Sequence, residues 1–227
     1  MGTVIRPSAV LWDMDGTLVD TEPYWMQAET ELIASYGGTW SHDDALQLVG
    51  EGLIDSANII RARGVDMDPE SIVQHLTDRV IARLRTEGVP FRPGARALLA
   101  DLRENGVPTA LVTMSMRRMA LEVVDLIDFT AFDLVVAGDD VRRPKPFADP
   151  YLQAAEQLGV QIGDAVVIED SVTGVTAGLA SGAVTLGVPH IVSLEASGAH
   201  ELWPTLEGRT ASDIRDLHAR CTMETAR

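Results

Sequence analysis

From Ala95 to about Val188 the sequence keeps one rhythm: a helical stretch, then a short apolar strand. "ARALLADLRENG" carries apolar residues at helical spacing and leads into "VPTALVT". The same succession returns as "MRRMALEVVDLI" and "FDLVVAG", as "DPYLQAAEQLG" and "AVVIED", and as "GVTAGLASG" and "AVTLGV". Strands joined through helices run parallel, by right-handed crossovers that leave helices on both faces of the sheet. The apolar run "SAVLWD" near the start has the length of one more buried strand. The expected fold class is therefore α/β, with a Rossmann-like parallel sheet core.

Between "SAVLWD" and that alternation the pattern is helical throughout. "EPYWMQAETELIASYG" has Pro23 in a first turn and Gly37–Gly38 as a stop, Ser41 is placed to cap the next helix, and Asp68 precedes Pro69 as a further cap. The expected organisation is an α/β core of residues 1–19 and 88–227 and an inserted all-helical cap of residues 20–87. Two chain crossings, one after Val19 and one near Val89–Pro90, would permit hinge motion between them.

Charge narrows the partners. With 34 acidic against 18 basic residues the formal charge is −16, which disfavours broad binding to nucleic acid or to an anionic membrane. A small anionic substrate stays compatible, because a metal ion and a lysine can invert the field locally. No run is long and apolar enough to span a bilayer and no signal-peptide pattern is visible, so the chain is expected in the cytoplasm. Cys221 is the one cysteine, so no intrachain disulfide is possible, and it reads as a bystander in a frayed tail. Oligomeric state is open, a monomer included.

Ligands of open α/β sheets gather beyond the carboxyl ends of the strands. Those ends carry Asp13, Thr113, the run Gly138–Asp139–Asp140, and Glu169–Asp170, with Lys145 shortly after the third. Acids, a hydroxyl and an ammonium at one edge suit Mg2+ and a phosphate, since magnesium takes oxygen ligands from one or two carboxylates plus phosphate oxygens. In "WDMDGTLVD", Asp13 and Asp15 are two apart and can address one ligand from an extended segment, and Gly16 lets the backbone turn close to it.

Four segments resemble the four motifs of the haloacid dehalogenase superfamily: "DMDGT", "LVTMS", "KPFADPYL" and "VVIEDSVTGVTAG". Phe147 and Ala148 depart from the usual Ala-Pro after the lysine, and Trp12 stands where Phe is common; both read as packing differences. The resemblance implies Asp13 as a nucleophile that forms an aspartyl-phosphate, and Asp15 as the acid and base, its backbone carbonyl on Mg2+. It implies Thr113 on a phosphoryl oxygen and Lys145 neutralising charge, with Asp170 and, less directly, Glu169 at the metal. The metal set so implied is Asp13, Asp15, Glu169 and Asp170. Asp15 also argues against carbon–halogen cleavage, which needs no such second acid. The helical insertion resembles the cap of β-phosphoglucomutase and of small-molecule phosphatases. In the mutases a segment like "GEGLIDS", residues 50 to 56, carries an arginine that grips a second phosphate; Leu53 falls there, which favours a hydrolase. The expected activity is Mg2+-dependent hydrolysis of a phosphorylated small metabolite of the sugar-phosphate kind, with a phosphomutase and a non-catalytic phosphate-binding protein as alternatives. Asp20 reads as a hinge contact, and Glu22 as either a cleft residue or a helix N-terminal acid. Arg117, Arg118, Arg142 and Arg143 read as surface charge, and His42, His75, His190, His200 and His218 as surface or loop residues.

Overall fold

The computed structural model describes residues 7–50 and 52–225. Six strands form one sheet: β1 (Ala9–Trp12), β2 (Thr109–Val112), β3 (Leu134–Val136), β4 (Ala165–Glu169), β5 (Val184–Gly187) and β6 (Glu201–Leu202). Their spatial order is β3-β2-β1-β4-β5-β6, and every neighbouring pair is parallel. β1 is central, flanked by β2 and β4, so the carboxyl ends carrying Asp13, Thr113 and Glu169 lie side by side.

Alternation along β1 serves two cores. Ala9 and Leu11 face a layer with Tyr151, Ala154 and Ala177, from helices α7 (Asp149–Leu158) and α8 (Val172–Ser181). Val10 and Trp12 face the other layer, built from α5 (Ala95–Glu104), α6 (Arg117–Asp125) and α9 (Ala211–Thr225). Trp12 is fully buried there, as its size and position lead one to expect.

The segment between β1 and α5 holds α1 (Glu22–Ser35), α2 (His42–Leu46), α3 (Leu53–Ala62) and α4 (Pro69–Glu87). Ser41 accepts from the Asp44 amide while Asp44 returns the bond, and Asp68 accepts from the Ser71 amide, so both expected caps are formed. The two chain crossings are paired with each other: the Asp20 amide donates to Pro90 at 2.7 Å and the Arg92 amide to Leu18 at 3.0 Å. Asp20 also binds His190 at 3.0 Å, and His190 meets Arg92 at 2.6 Å, which ties the first chain crossing to the loop after β5. Farther out, Arg85 of α4 grips Glu122 of α6 with two bonds, and Arg118 of α6 pairs with Asp78 and donates to the Gln74 carbonyl at 2.8 Å. Arg118 therefore links the helical segment to the sheet layer, beyond the plain surface charge expected of it.

The tail corrects two further expectations. Cys221 lies within α9 and packs half-buried against the core, because Ile214 and Leu217 give that helix an apolar face to bury. His218, on the same helix, is 1% exposed and is neither a surface nor a loop residue. Glu51 of the "GEGLIDS" stretch lies outside the described residues. Among the described residues no helix is long and apolar enough to cross a membrane.

Candidate active site

Asp13 follows β1 directly, anchored by its amide on the Ile168 carbonyl at 3.0 Å. The chain then turns sharply, the Leu18 and Val19 amides both closing on the Met14 carbonyl. Gly16 sits in this turn at φ +86°, and a Cβ there would fall 2.1 Å from Asp170 Oδ2. Glycine thus meets both the left-handed conformation and the closeness of the acid.

Three buried carboxylates, Asp13, Glu169 and Asp170, bring oxygens within 4.8 Å of one another. Lys145 lies among them, its Nζ donating to Asp13 Oδ1 at 2.6 Å, to Glu169 Oε1 at 2.6 Å and to the Val112 carbonyl at 3.0 Å. It is the only lysine in the sequence. One ammonium cannot neutralise three acids. Burial, then Glu169, push Asp13 well above the usual carboxylate range in spite of Lys145, and the same two causes push Asp170 up to about 8. Burial alone would lower Lys145, but Asp13 and Glu169 outweigh it and hold the ammonium above its ordinary value.

Glu169 is fully engaged. Its Oε1 accepts from Lys145 and from Tyr151 Oη, each at 2.6 Å, and its Oε2 from the Asp170 amide at 3.2 Å and from Ser171 Oγ at 3.2 Å. A Cβ on Gly174 would come within 1.9 Å of this carboxylate, so the first turn of α8 is held against it. Asp170 is held by Thr17 Oγ1 on Oδ1 at 3.0 Å. Among the described residues, Asp13 Oδ2 and Asp170 Oδ2 have no protein donor. These two oxygens, next to an excess of buried negative charge, fit a divalent cation with Glu169 behind it.

Asp15 is separate. Ser115 Oγ donates to its Oδ2 at 2.6 Å and Thr113 Oγ1 at 3.4 Å, while Thr21 Oγ1 and Trp25 Nε1 donate to its Oδ1. Its carboxylate therefore does not join the Asp13–Glu169–Asp170 group, although both acids sit at the end of β1. Asp139 and Asp140 also stay out: they bind the amide and guanidinium of Arg117 at the start of α6.

Several partners escape sequence reasoning. Ser115 lies two residues beyond Thr113, in the bend that follows β2, where its amide donates to Thr113 Oγ1 at 3.0 Å. Thr17 lies inside the first motif. Tyr151 carries no local signal, because only the packing of α7 under the sheet brings its hydroxyl to Glu169.

A profile of the haloacid dehalogenase-like hydrolase family matches residues 7–182. The chain belongs to that family. Over 188 residues it is 33% identical to a phosphorylated carbohydrates phosphatase from Thermotoga maritima, with 80% of this chain and 85% of that protein covered. It is 30% identical over 188 residues to a bifunctional riboflavin kinase/FMN phosphatase from Arabidopsis thaliana; that match takes in 81% of this chain and 49%, about half, of the longer protein. Among solved structures, CbbY from Rhodobacter sphaeroides in complex with phosphate aligns at a TM-score of 0.82 and 27% identity, covering 91% of this chain and 98% of that one. As a haloacid dehalogenase-like hydrolase the chain is an enzyme, and the resemblance in its four motifs reflects true kinship.

Two further acids lie on α1, and Glu22 is near enough to Asp15 to feel its charge. Glu22 is pushed up to about 8 by burial and by Asp15, Glu29 and Asp20. Glu29 is 6% exposed and accepts from Trp40 Nε1 at 3.1 Å, yet burial pushes it up to about 7. A carboxyl raised on folding favours the native state only while protonated, so its stabilising share is complete below the unfolded value of about 4.3 and is lost as pH rises towards 7. Glu29→Gln is expected to unfold later in urea than the parent at pH 8, by up to about 3 kcal/mol, with the gap closing near pH 4.5. A gap that is the same at both pH values would show that burial does not strain this acid.

Proposed function

We propose that the chain is a Mg2+-dependent phosphatase acting on a phosphorylated small metabolite of the sugar-phosphate kind. The observation that carries this reading is the division of acids: three buried carboxylates around one lysine, and a fourth, Asp15, held apart by hydroxyl and indole donors. In this reading a carboxylate oxygen of Asp13 attacks phosphorus and the ester P–O bond breaks, leaving an aspartyl-phosphate on Asp13. Asp15 gives its proton to the departing alkoxide. It then takes a proton from the incoming water, whose oxygen attacks phosphorus; the acyl phosphate bond breaks, returning Asp13 as carboxylate and releasing inorganic phosphate. Lys145 neutralises charge on the phosphoryl group and Thr113 donates a hydrogen bond to one of its oxygens, which is where phosphoryl transfer needs stabilisation. Asp13, Asp170 and the backbone carbonyl of Asp15 would hold Mg2+, with Glu169 behind them. When bound, the ion supplies positive charge that lets one anion approach another.

The Thermotoga relative named for phosphorylated carbohydrates supports the substrate class, and the FMN phosphatase relative supports transfer to water. Leu53, half-buried at the start of α3, offers no cation to a second phosphate, which favours hydrolysis over a mutase reaction. The test is phosphate release from a panel of phosphorylated metabolites, with Mg2+, with a chelator, and with Mg2+ restored. Release is expected to fall by about 100-fold or more on chelation and to return with the metal. Activity indifferent to both would overturn the metal assignment, and isomerised sugar phosphate without free phosphate would make the enzyme a mutase.

A further inference from the structure

Glu22 and Glu29 lie seven residues apart on α1, so they share one face of the helix, with Glu29 about 10 Å farther along the axis. This face continues the line of acids from the catalytic centre: Asp170 feels the charge of Glu22, and Glu22 feels both Asp15 and Glu29. Between them Trp25 spends its indole N–H on Asp15, not on either glutamate. Glu29 is nine-tenths buried, and Trp40 fixes only its Oε2. Its Oε1 has no protein donor among the described residues, although it keeps contact with solvent. No ion pair among the described residues involves Glu22 or Glu29. Arg63 stacks over the Trp40 ring at 5.2 Å, but its guanidinium is bound to Asp44 at 2.8 Å.

A buried carboxylate with one oxygen held still and the other open is a directed acceptor. We infer that Glu29, oriented by Trp40, is a specificity determinant that accepts a hydrogen bond from a substrate hydroxyl remote from the phosphate. The inference rests on the phosphatase reading and deepens it, because it selects the substrate class. A neutral polyhydroxy monophosphate presents hydroxyl donors along its carbon chain, away from the phosphate. A bisphosphate would bring its second anion against Glu22 and Glu29, with Leu53 supplying no cation, and is discriminated against. Sites built to bond a hydroxyl reject analogues that lack it, since the protein acceptor is then left unpaired.

The test uses the full chain with Mg2+ and four monophosphates: D-glucitol 6-phosphate, D-glucose 6-phosphate, D-fructose 1-phosphate and glycerol 3-phosphate. Fructose 1,6-bisphosphate and p-nitrophenyl phosphate serve as contrasts. The best monophosphate is expected to exceed the bisphosphate in kcat/KM by about tenfold or more. In Glu29→Gln, the ratio of its kcat/KM to that for p-nitrophenyl phosphate should fall by about 10- to 100-fold, as for a lost hydrogen bond to a charged group. Trp40→Phe removes the indole donor without changing charge and should move the ratio in the same direction. Calorimetry in an Asp13→Asn background reads the subsite without turnover: the added Glu29→Gln change should weaken binding of that monophosphate about tenfold or more relative to inorganic phosphate. An unchanged ratio together with unchanged binding, a preference for the bisphosphate, or no monophosphate binding more tightly than inorganic phosphate would overturn the inference. If the unaltered enzyme releases no phosphate even from p-nitrophenyl phosphate, the phosphatase reading fails, while the binding comparison still decides the role of Glu29.

Discussion

Asp13→Asn is expected to lower kcat by about 10,000-fold or more with every phosphate ester, because an amide oxygen does not form the covalent intermediate. The substitution keeps the shape of the side chain, and the amide oxygen it introduces can still accept from Lys145. It also removes one of three buried acids served by a single ammonium. Since burial and Glu169 hold Asp13 above its ordinary range, the native state carries its charge at a cost at neutral pH. The variant should therefore fold, and at pH 7 should unfold no earlier in urea than the parent. This separates lost chemistry from lost structure. Steady-state release from p-nitrophenyl phosphate measures the first, and the mass of acid-quenched protein should show a phosphoryl adduct on the parent and none on the variant. Activity within tenfold of the parent would remove Asp13 as the nucleophile.

Lys145→Met should harm both chemistry and fold. Methionine has nearly the same reach and no charge, so the variant leaves Asp13 and Glu169 buried without their shared cation. Breaking a buried ion pair from one side costs about 3–5 kcal/mol, because the remaining charge is stranded. The loss should shrink as pH falls: burial already raises these acids in the parent, and without Lys145 they bind protons still more tightly, so the variant gains more from acidification than the parent does. Urea unfolding of both proteins at pH 7.5 and pH 5 measures the difference. Turnover should drop by about 1000-fold or more, since no other side-chain cation bonds this cluster among the described residues. Adding Glu169→Gln to Lys145→Met should recover part of the stability and none of the turnover. Equal destabilisation at both pH values would instead point to a packing defect.

Much of this was readable from residue order. The alternation after Ala95 required a parallel sheet, since strands separated by helices have no other short way to pair. The ends of those strands carry Asp13, Thr113, Glu169 and Asp170, with Lys145 shortly after β3. Local chemistry also placed Ser41 and Asp68 as caps, because a cap is decided within four residues. The errors fell where distance along the chain is large or the local signal weak. The end of the chain read as frayed, yet α9 packs under the sheet through Ile214 and Leu217. Asp139 and Asp140 read as site acids, yet Arg117, more than twenty residues earlier, takes them.

By itself the sequence determined the class of fold, the edge at which chemistry gathers, and the acids and lysine available there, because periodicity and strand-end position are local properties. Only the tertiary structure decided which partners each of those groups holds. Tyr151 closes the shell of Glu169, Ser115 and Trp25 hold Asp15 apart from the other acids, and Trp40 donates to Glu29. Each of these is a contact between segments that the sheet and the helical insertion bring together. Burial sets the charge each acid will carry, and burial exists only once the chain has folded.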